Sequence, residues 1–387
     1  MSYKIHFQID KTKLVFEKIF KNNFLVKSFP KNYEVKFNNS VLDLKNQLKK
    51  KRTFLIVDLN IFKKYNSIFK ILDKKNIFLI NSVEKNKTDK FSKKLINFFI
   101  KNKITKNDFI FSVGGGIVQD ISGYACLIYK RGIPWVYYPT TFLGMTDSCI
   151  GGKVGINYKN AKNLLALFSA PSKVVINTAF LKTLTNKDLI SGLGESLRLH
   201  VTGGKFFVKK FTENLEKCLI RNQMALLSMI KNSLNVKKLV VEKDEYEINI
   251  RRSMNFGHSF GHALEILCKH SIPHGACVVI GMCIEVIVGY ENNNVSKSSR
   301  DTVINLSLKL LNNRGYYKIL KKIKLDKVNN ILVKDKKTIG TKIFLALPKK
   351  IGHIQFVPNE LNKDNVRNLQ LAKNILIDKI NEKYSFN

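Results

Sequence analysis

The chain has 387 residues, 44% hydrophobic and 25% charged, enough for two domains that bury their own cores without disulfides or a structural metal. Its six cysteines are scattered and form no C-x-x-C pair, which excludes a disulfide scaffold and a zinc ribbon and fits a reducing cytoplasm. The formal net charge of +38 comes from 58 lysines against 9 arginines spread along the whole chain, a compositional drift rather than a nucleic-acid groove, whose readers favour the arginine fork.

The N-terminus lacks the charged-then-apolar layout of a signal peptide. The longest apolar run, Gly275 to Gly289, contains Glu285 and reads as too short and too charged for a membrane span. With nucleic acid and membrane set aside, a dinucleotide or an anionic metabolite is the partner such a basic chain suits. In chain order, Thr53–Asp58, Asn76–Ile80, Phe109–Val113 and Trp135–Tyr138 are short apolar runs. Helix-length polar segments separate the first three, which predicts a β-α-β-α-β parallel open sheet. From about Thr183 the pattern turns helical, except for a strand-like pair, Ile343–Leu347 and His353–Val357. The expected architecture is α/β: a Rossmann-like parallel-sheet nucleotide-binding domain over 1–182, then a mainly α-helical domain over 183–387, with the cleft between them.

From Ser112 to Asn157 the lysine drift stops: the stretch holds five charges and nine glycines. Gly114-Gly115-Gly116, with Asp120 one turn on, follows a predicted strand and opens a predicted helix. Glycines there let a pyrophosphate approach free N–H groups at the helix start, although a plain strand-to-helix turn has the same look. The pattern is not the G-x-G-x-x-G fingerprint. Asp58 and Asn60, at the end of an earlier strand, suit a ribose contact or a simple strand-end cap. Further on, Thr140, Thr141, Asp147, Lys153, Asn157, Lys162 and Asn163 place an acid, two lysines and amides in a glycine-rich loop, which suits a phosphorylated, hydroxylated substrate.

Four of the seven histidines lie between His258 and His274. Offsets of 0, 4, 7 and 11 predict Arg251, Asn255, His258 and His262 on one helical face. Gly257 and Gly261 would each cost about 1 kcal/mol inside a helix, which makes sense if something packs close. Two imidazoles at i, i+4 need further ligands, and a catalytic zinc site keeps one position open. His274, after Pro273, and Glu195, with Arg198 one turn on, are the candidates; spacing leaves open whether His258 or His262 is the ligand.

Together, Gly-Gly-Gly-x-x-x-Asp, Arg-Gly-Ile-Pro, Pro-Thr-Thr, Asp-Ser-x-x-Gly-Gly-Lys-x-Gly-Ile-Asn, Lys-Asn-Leu, Asn-Phe-Gly-His-x-Phe-Gly-His-Ala and Pro-His-Gly resemble the 3-dehydroquinate synthase family, in this order, from about Phe54 to Val357. The resemblance implies a carbon-oxygen lyase of the shikimate pathway, leading to chorismate and the aromatic amino acids, that depends on NAD and on Zn2+ or Co2+. Its members convert 3-deoxy-D-arabino-heptulosonate 7-phosphate to 3-dehydroquinate and phosphate by transient oxidation, phosphate elimination, reduction and intramolecular aldol closure. It further implies a cytoplasmic homodimer, in which Arg131 reaches the phosphate site of a second subunit. The metal ligands it implies are Glu195, His258 and His274. Catalytic and substrate contacts would be Asp147, Lys153, Asn163, Arg198, Lys237, Arg251, Asn255, His262 and Lys336. NAD would be held by Asp58, Asn60, Glu84, Lys87, Gly115, Asp120, Thr140, Thr141, Lys153 and Lys162.

The chain departs from the family pattern at Arg198, where Lys is usual, at Gln119 and Asn249 in place of glycines, at Ala276 in place of Glu, and at Val83 before Glu84. Two enzyme readings compete: a metal-dependent polyol dehydrogenase, which would release NADH stoichiometrically and lacks the Asp-Ser…Gly-Gly-Lys loop, and a sugar-phosphate cyclase of secondary metabolism, which Asn255 and His262 fit less well. A nucleic-acid-binding protein would instead show steep salt dependence and no metal requirement.

Overall fold

The structure is a computed structural model that describes residues 5–384, apart from 17–19, 21, 39, 160, 270, 312–314 and 335–337. It divides into two compact units, Phe20–Thr185 and Met1–Ile19 with Asn186–Asn387.

The first unit is built on a seven-stranded sheet in the spatial order Phe24–Val26, Tyr33–Phe37, Lys173–Ile176, Val136–Pro139, Phe109–Gly114, Thr53–Asp58, Ile77–Ile80. All neighbours pair in parallel except the first two. The apolar runs read as strands are therefore strands, and Thr53–Asp58 is buried along its whole length, as a strand covered on both faces must be. Phe24–Val26, Tyr33–Phe37 and Lys173–Ile176 are additional to the expected set, as is an antiparallel hairpin of Lys153–Tyr158 and Ala161–Phe168. From Thr53–Asp58 the chain steps outward to Ile77–Ile80, then returns to Phe109–Gly114 on the other side. The strand order thus reverses between Asp58 and Gly114, and open parallel sheets bind ligands at the carboxyl ends beside such a reversal.

The second unit is mainly helical, with a four-stranded sheet in the order Lys342–Lys350, His353–Glu360, Ile5–Ile9, Thr12–Phe16. Ile5–Ile9 pairs in parallel with His353–Glu360, so the expected domain limits of 1–182 and 183–387 fail at the N-terminus: the first strands belong with the second unit. Phe7, Ile9, Leu14 and Phe16 from those strands share one core with Leu199, Phe207, Val236 and Val240.

The centre of this unit is the helix His274–Glu291, buried at every position from Gly275 to Gly289. By length and composition it could cross a bilayer, but its neighbours enclose it, the usual place for a helix apolar on all sides. Two helices press on it at glycines. A Cβ on Gly275 would stand 1.9 Å from the Ser191 carbonyl oxygen in the helix Asn186–Gly203. One on Gly281 would stand 2.1 Å from the Gly257 oxygen, just ahead of the helix His258–Leu267. These backbone contacts gather Glu195, His258 and His274, one from each helix.

Candidate active site

In the helical unit, Glu195 lies in mid-helix, His258 and His274 each begin a helix, and His262 follows one turn after His258. The Nε2 atoms of His258 and His274 stand 3.4 and 3.1 Å from Glu195 Oε1. His262 completes a triangle of rings with centroids 5.2 to 5.6 Å apart, and the three imidazoles bring nitrogens within 4.8 Å of one another.

The outward atoms are held. Arg198 places Nε at 2.8 Å and Nη2 at 2.7 Å from Glu195 Oε2. His258 Nδ1 is 3.2 Å from the Phe256 carbonyl oxygen, and His274 Nδ1 is 3.1 Å from Glu265 Oε2. Since both Nδ1 atoms face acceptors, each donates its proton there and each Nε2 keeps a lone pair. Two lone pairs then face the fully buried Glu195 Oε1, and in these tautomers neither Nε2 donates to it. Acceptors crowded in this way require a cation among them, and two imidazoles with one carboxylate are a donor set for zinc or cobalt. Without one, a proton takes its place. Burial opposes charge on His274, but hydrogen bonds and charges from Glu195 and Glu265 prevail and push it up to about 10. Burial also opposes charge on Glu195, yet Arg198 and then His258 hold it well below the usual carboxylate range. His258 is lowered by burial, against the pull of Glu195.

Arg251 and Asn255 lie in the turn before the histidines. Asp244 accepts the backbone N–H groups of Ile248, Asn249 and Arg251 at 2.9, 2.8 and 2.8 Å. The buried Arg251 guanidinium donates to the Glu245 carbonyl, and Asn255 Nδ2 donates to Glu247 Oε1 at 3.1 Å. Lys237 is buried on the helix Gln223–Lys243. The single helical face expected for Arg251, Asn255, His258 and His262 does not form. Ile250–Asn255 is a 3-10 turn, and Gly257, with φ of 77°, separates it from the helix that starts at His258. The expectation that something packs close to the glycines holds: Cβ atoms on Gly257 and Gly261 would meet the Val278 oxygen at 2.6 Å and the Val278 Cα at 2.9 Å. Lys336 lies outside the described residues.

In the first unit, the glycine triplet sits at the carboxyl end of Phe109–Gly114, and Gly115 precedes the helix Gly116–Ile128 with no side-chain cap. A Cβ on Gly116 would meet nothing within 4 Å, so the loop leaves a cradle beside free N–H groups. A Cβ on Gly115 would strike Thr141 Cγ2 at 2.9 Å. Thr140 follows the neighbouring strand, its N–H bonded to the Gly114 carbonyl at 3.0 Å. Asp58 does act as a cap: Oδ1 accepts from Asn60 and Ile61 N–H at 2.7 and 2.9 Å. The buried Lys87 ammonium joins Asp120 Oδ2 at 3.0 Å and Asn163 Oδ1 at 2.6 Å, with Glu84 at 4.0 Å. Burial raises the Asp120 carboxyl against the pull of Lys87. Asp147 lies in the π-helical turn Gly144–Ser148. Lys153, Lys162 and Asn163 line the hairpin and are exposed, as is Arg131, held at φ 59°.

Three contacts went unread in the sequence. Glu265 is seven residues after His258, two turns on, which was the available signal. Asn157 donates to Glu84 Oε1 at 2.8 Å and accepts the Asn163 N–H at 2.9 Å. Gln119 exchanges two 2.7 Å hydrogen bonds with Ser148, next to Asp147. Arg198, expected among the catalytic and substrate contacts, donates to Glu195 and places Nη1 3.1 Å from Met254 Sδ.

The solved structures that share this fold include 2-epi-5-epi-valiolone synthase from Streptomyces hygroscopicus subsp. jinggangensis, with NAD+ and Zn2+ bound. It matches with a TM-score of 0.78 at 22% identity, over 92% of this chain and 100% of its own. A 2-deoxy-scyllo-inosose synthase complexed with carbaglucose-6-phosphate, NAD+ and Co2+ matches at 0.76 and 20% identity, over 91% and 100%. The curated 3-dehydroquinate synthase of Pelagibacter ubique is 33% identical over 331 residues, 83% of this chain and 90% of its own length. The N-terminal 3-dehydroquinate synthase family model matches residues 77–191, and the C-terminal one matches 192–338 without a gap between them. With both halves matched in order, and with the motif residues placed as above, the chain belongs to the 3-dehydroquinate synthase family.

Proposed function

We propose that the chain converts 3-deoxy-D-arabino-heptulosonate 7-phosphate to 3-dehydroquinate and inorganic phosphate, as a lyase dependent on NAD and on zinc or cobalt. The observation that carries this reading is the meeting of His258 Nε2, His274 Nε2 and Glu195 Oε1, three acceptors arranged for a cation, in a chain of this family. Glu195, His258 and His274 would hold the metal. The metal when bound polarises the substrate hydroxyl, and NAD when bound takes up a hydride and returns it.

The substrate carries a carboxylate and a phosphate, and the cationic residues answer both. Arg251, set by Asp244 and Glu245, binds an anionic end through its fork. Lys153, Asn163, Lys237, Lys336 and His262 contribute further donors, and Asn255, steadied by Glu247, orients a hydroxyl. Asp147 takes part at the reacting hydroxyls, and Arg198 keeps Glu195 ionised. The NAD pyrophosphate rests on the loop at Gly115 with Thr140 and Thr141 beside it. Asp58, Asn60, Glu84, Lys87, Asp120, Lys153 and Lys162 hold the rest. The site at the strand-order reversal supports that placement. Arg131 reaches the phosphate site of a second subunit, making the working form a homodimer of the cytoplasm. Phosphate release from the heptulosonate phosphate tests the reading: it should require NAD and the metal together, and release that persists without either contradicts it.

A further inference from the structure

We propose that Glu265 is a positioning residue of the metal centre: its carboxylate accepts the His274 Nδ1 proton and so fixes Nε2 as the atom that faces Glu195. The inference rests on Glu195, His258 and His274 being the ligands, and it concerns which groups make them ligands.

Either ring nitrogen of a histidine can bind a metal, and the hydrogen bond made by one selects the other. Each of the three inner atoms has a distinct outer holder. For His258 it is the Phe256 carbonyl, main chain fixed by the turn before the helix. For Glu195 it is Arg198, with both contacts on Oε2, which leaves Oε1 facing the imidazoles. For His274 it is Glu265, a side chain from the neighbouring helix His258–Leu267. His274 needs holding most. Its side chain is 32% exposed against 12% for His258, and it stands at the first position of its helix, directly after Pro273. The Glu265 side chain, 16% exposed, is the more enclosed partner of the pair. It also adds negative charge behind the imidazole, which makes Nε2 a better donor. One helix thus supplies both a ligand, His258, and the group that aims a ligand on the next helix.

The test uses the full chain stripped with a chelator, then titrated with zinc alone and with cobalt alone, reading dissociation constants and the visible spectrum of bound cobalt. Glu265→Ala should weaken both metals about tenfold to a hundredfold and alter the cobalt spectrum. Glu265→Gln retains an acceptor oxygen without the charge, so it should lose less than Glu265→Ala while remaining measurably weaker than the unsubstituted chain. Thermal unfolding of the metal-free forms identifies any variant that fails to fold; if the alanine variant does, the glutamine variant decides alone. Unchanged metal affinity in the folded Glu265 variants, alongside loss of metal in His274→Ala, overturns the positioning role and leaves the ligand assignment standing. Loss in Glu265→Gln equal to that in His274→Ala overturns it too, because Glu265 would then be a ligand itself. Full affinity in His274→Ala removes the ligand set and the inference with it.

Discussion

Arg198 places two nitrogens on a single oxygen of Glu195, at 2.8 and 2.7 Å, with both side chains buried. A carboxylate so far from water is tolerable only with such a partner, since removing one member leaves the other charge uncompensated. Arg198→Ala should therefore destabilise the metal-free protein by about 3 kcal/mol. Arg198→Lys keeps the charge but loses the fork, and should cost about 1 kcal/mol. Urea unfolding in the presence of a chelator measures both, and an alanine variant as stable as the parent would show that the pair contributes little.

Glycines in the two units are needed for different reasons, and substitution separates them. A Cβ at Gly275 has the Ser191 carbonyl 1.9 Å away, so the helices must part and Gly275→Ala should cost about 3 kcal/mol or more. At Gly116 nothing lies within 4 Å, so Gly116→Ala should leave the thermal midpoint unchanged. It should nevertheless weaken NAD by about tenfold, or 1.4 kcal/mol, because the methyl group enters the cradle. Calorimetric titration with NAD reads the effect, and undiminished affinity would move the pyrophosphate elsewhere.

Acid should weaken the helical unit through His200. Burial lowers this imidazole to about 4, against the Ser196 carbonyl that accepts from Nδ1 at 2.6 Å, and Phe207 and Phe211 pack around the ring. Its folded pKa lies below the 6.5 of a free imidazole, so between those values the unfolded chain binds a proton that the folded chain refuses. The contribution is complete above pH 6.5 and lost as pH falls through 4, on the order of 3 kcal/mol in all. Denaturant midpoints of the parent and His200→Gln, compared between pH 7 and 4.5, should converge at the acid end. Parallel curves would contradict it.

Much of this was legible in the residues because the relevant signals are local. Thr53–Asp58 and Phe109–Val113 announce themselves as apolar runs, and the glycine triplet follows the second one directly. Non-local pairing left no such trace: nothing in Ile5–Ile9 says that its neighbour is His353–Glu360. The helical stripe from Arg251 to His262 was a coincidence of spacing, broken by the left-handed conformation at Gly257. Glu265 was hidden because a carboxylate on a helix is ordinary until its contact with His274 is seen. Lys87 and Lys237 do not stand out by composition among 58 lysines; the structure adds their burial, which they share with Lys373.

The most direct test of the proposed function is stoichiometric. With NAD far below the heptulosonate phosphate and the metal present, phosphate should appear in many-fold excess over NAD, with no lasting rise in NADH absorbance. NADH accumulating one-for-one with substrate consumed would contradict the cyclase reading and favour a polyol-type dehydrogenase.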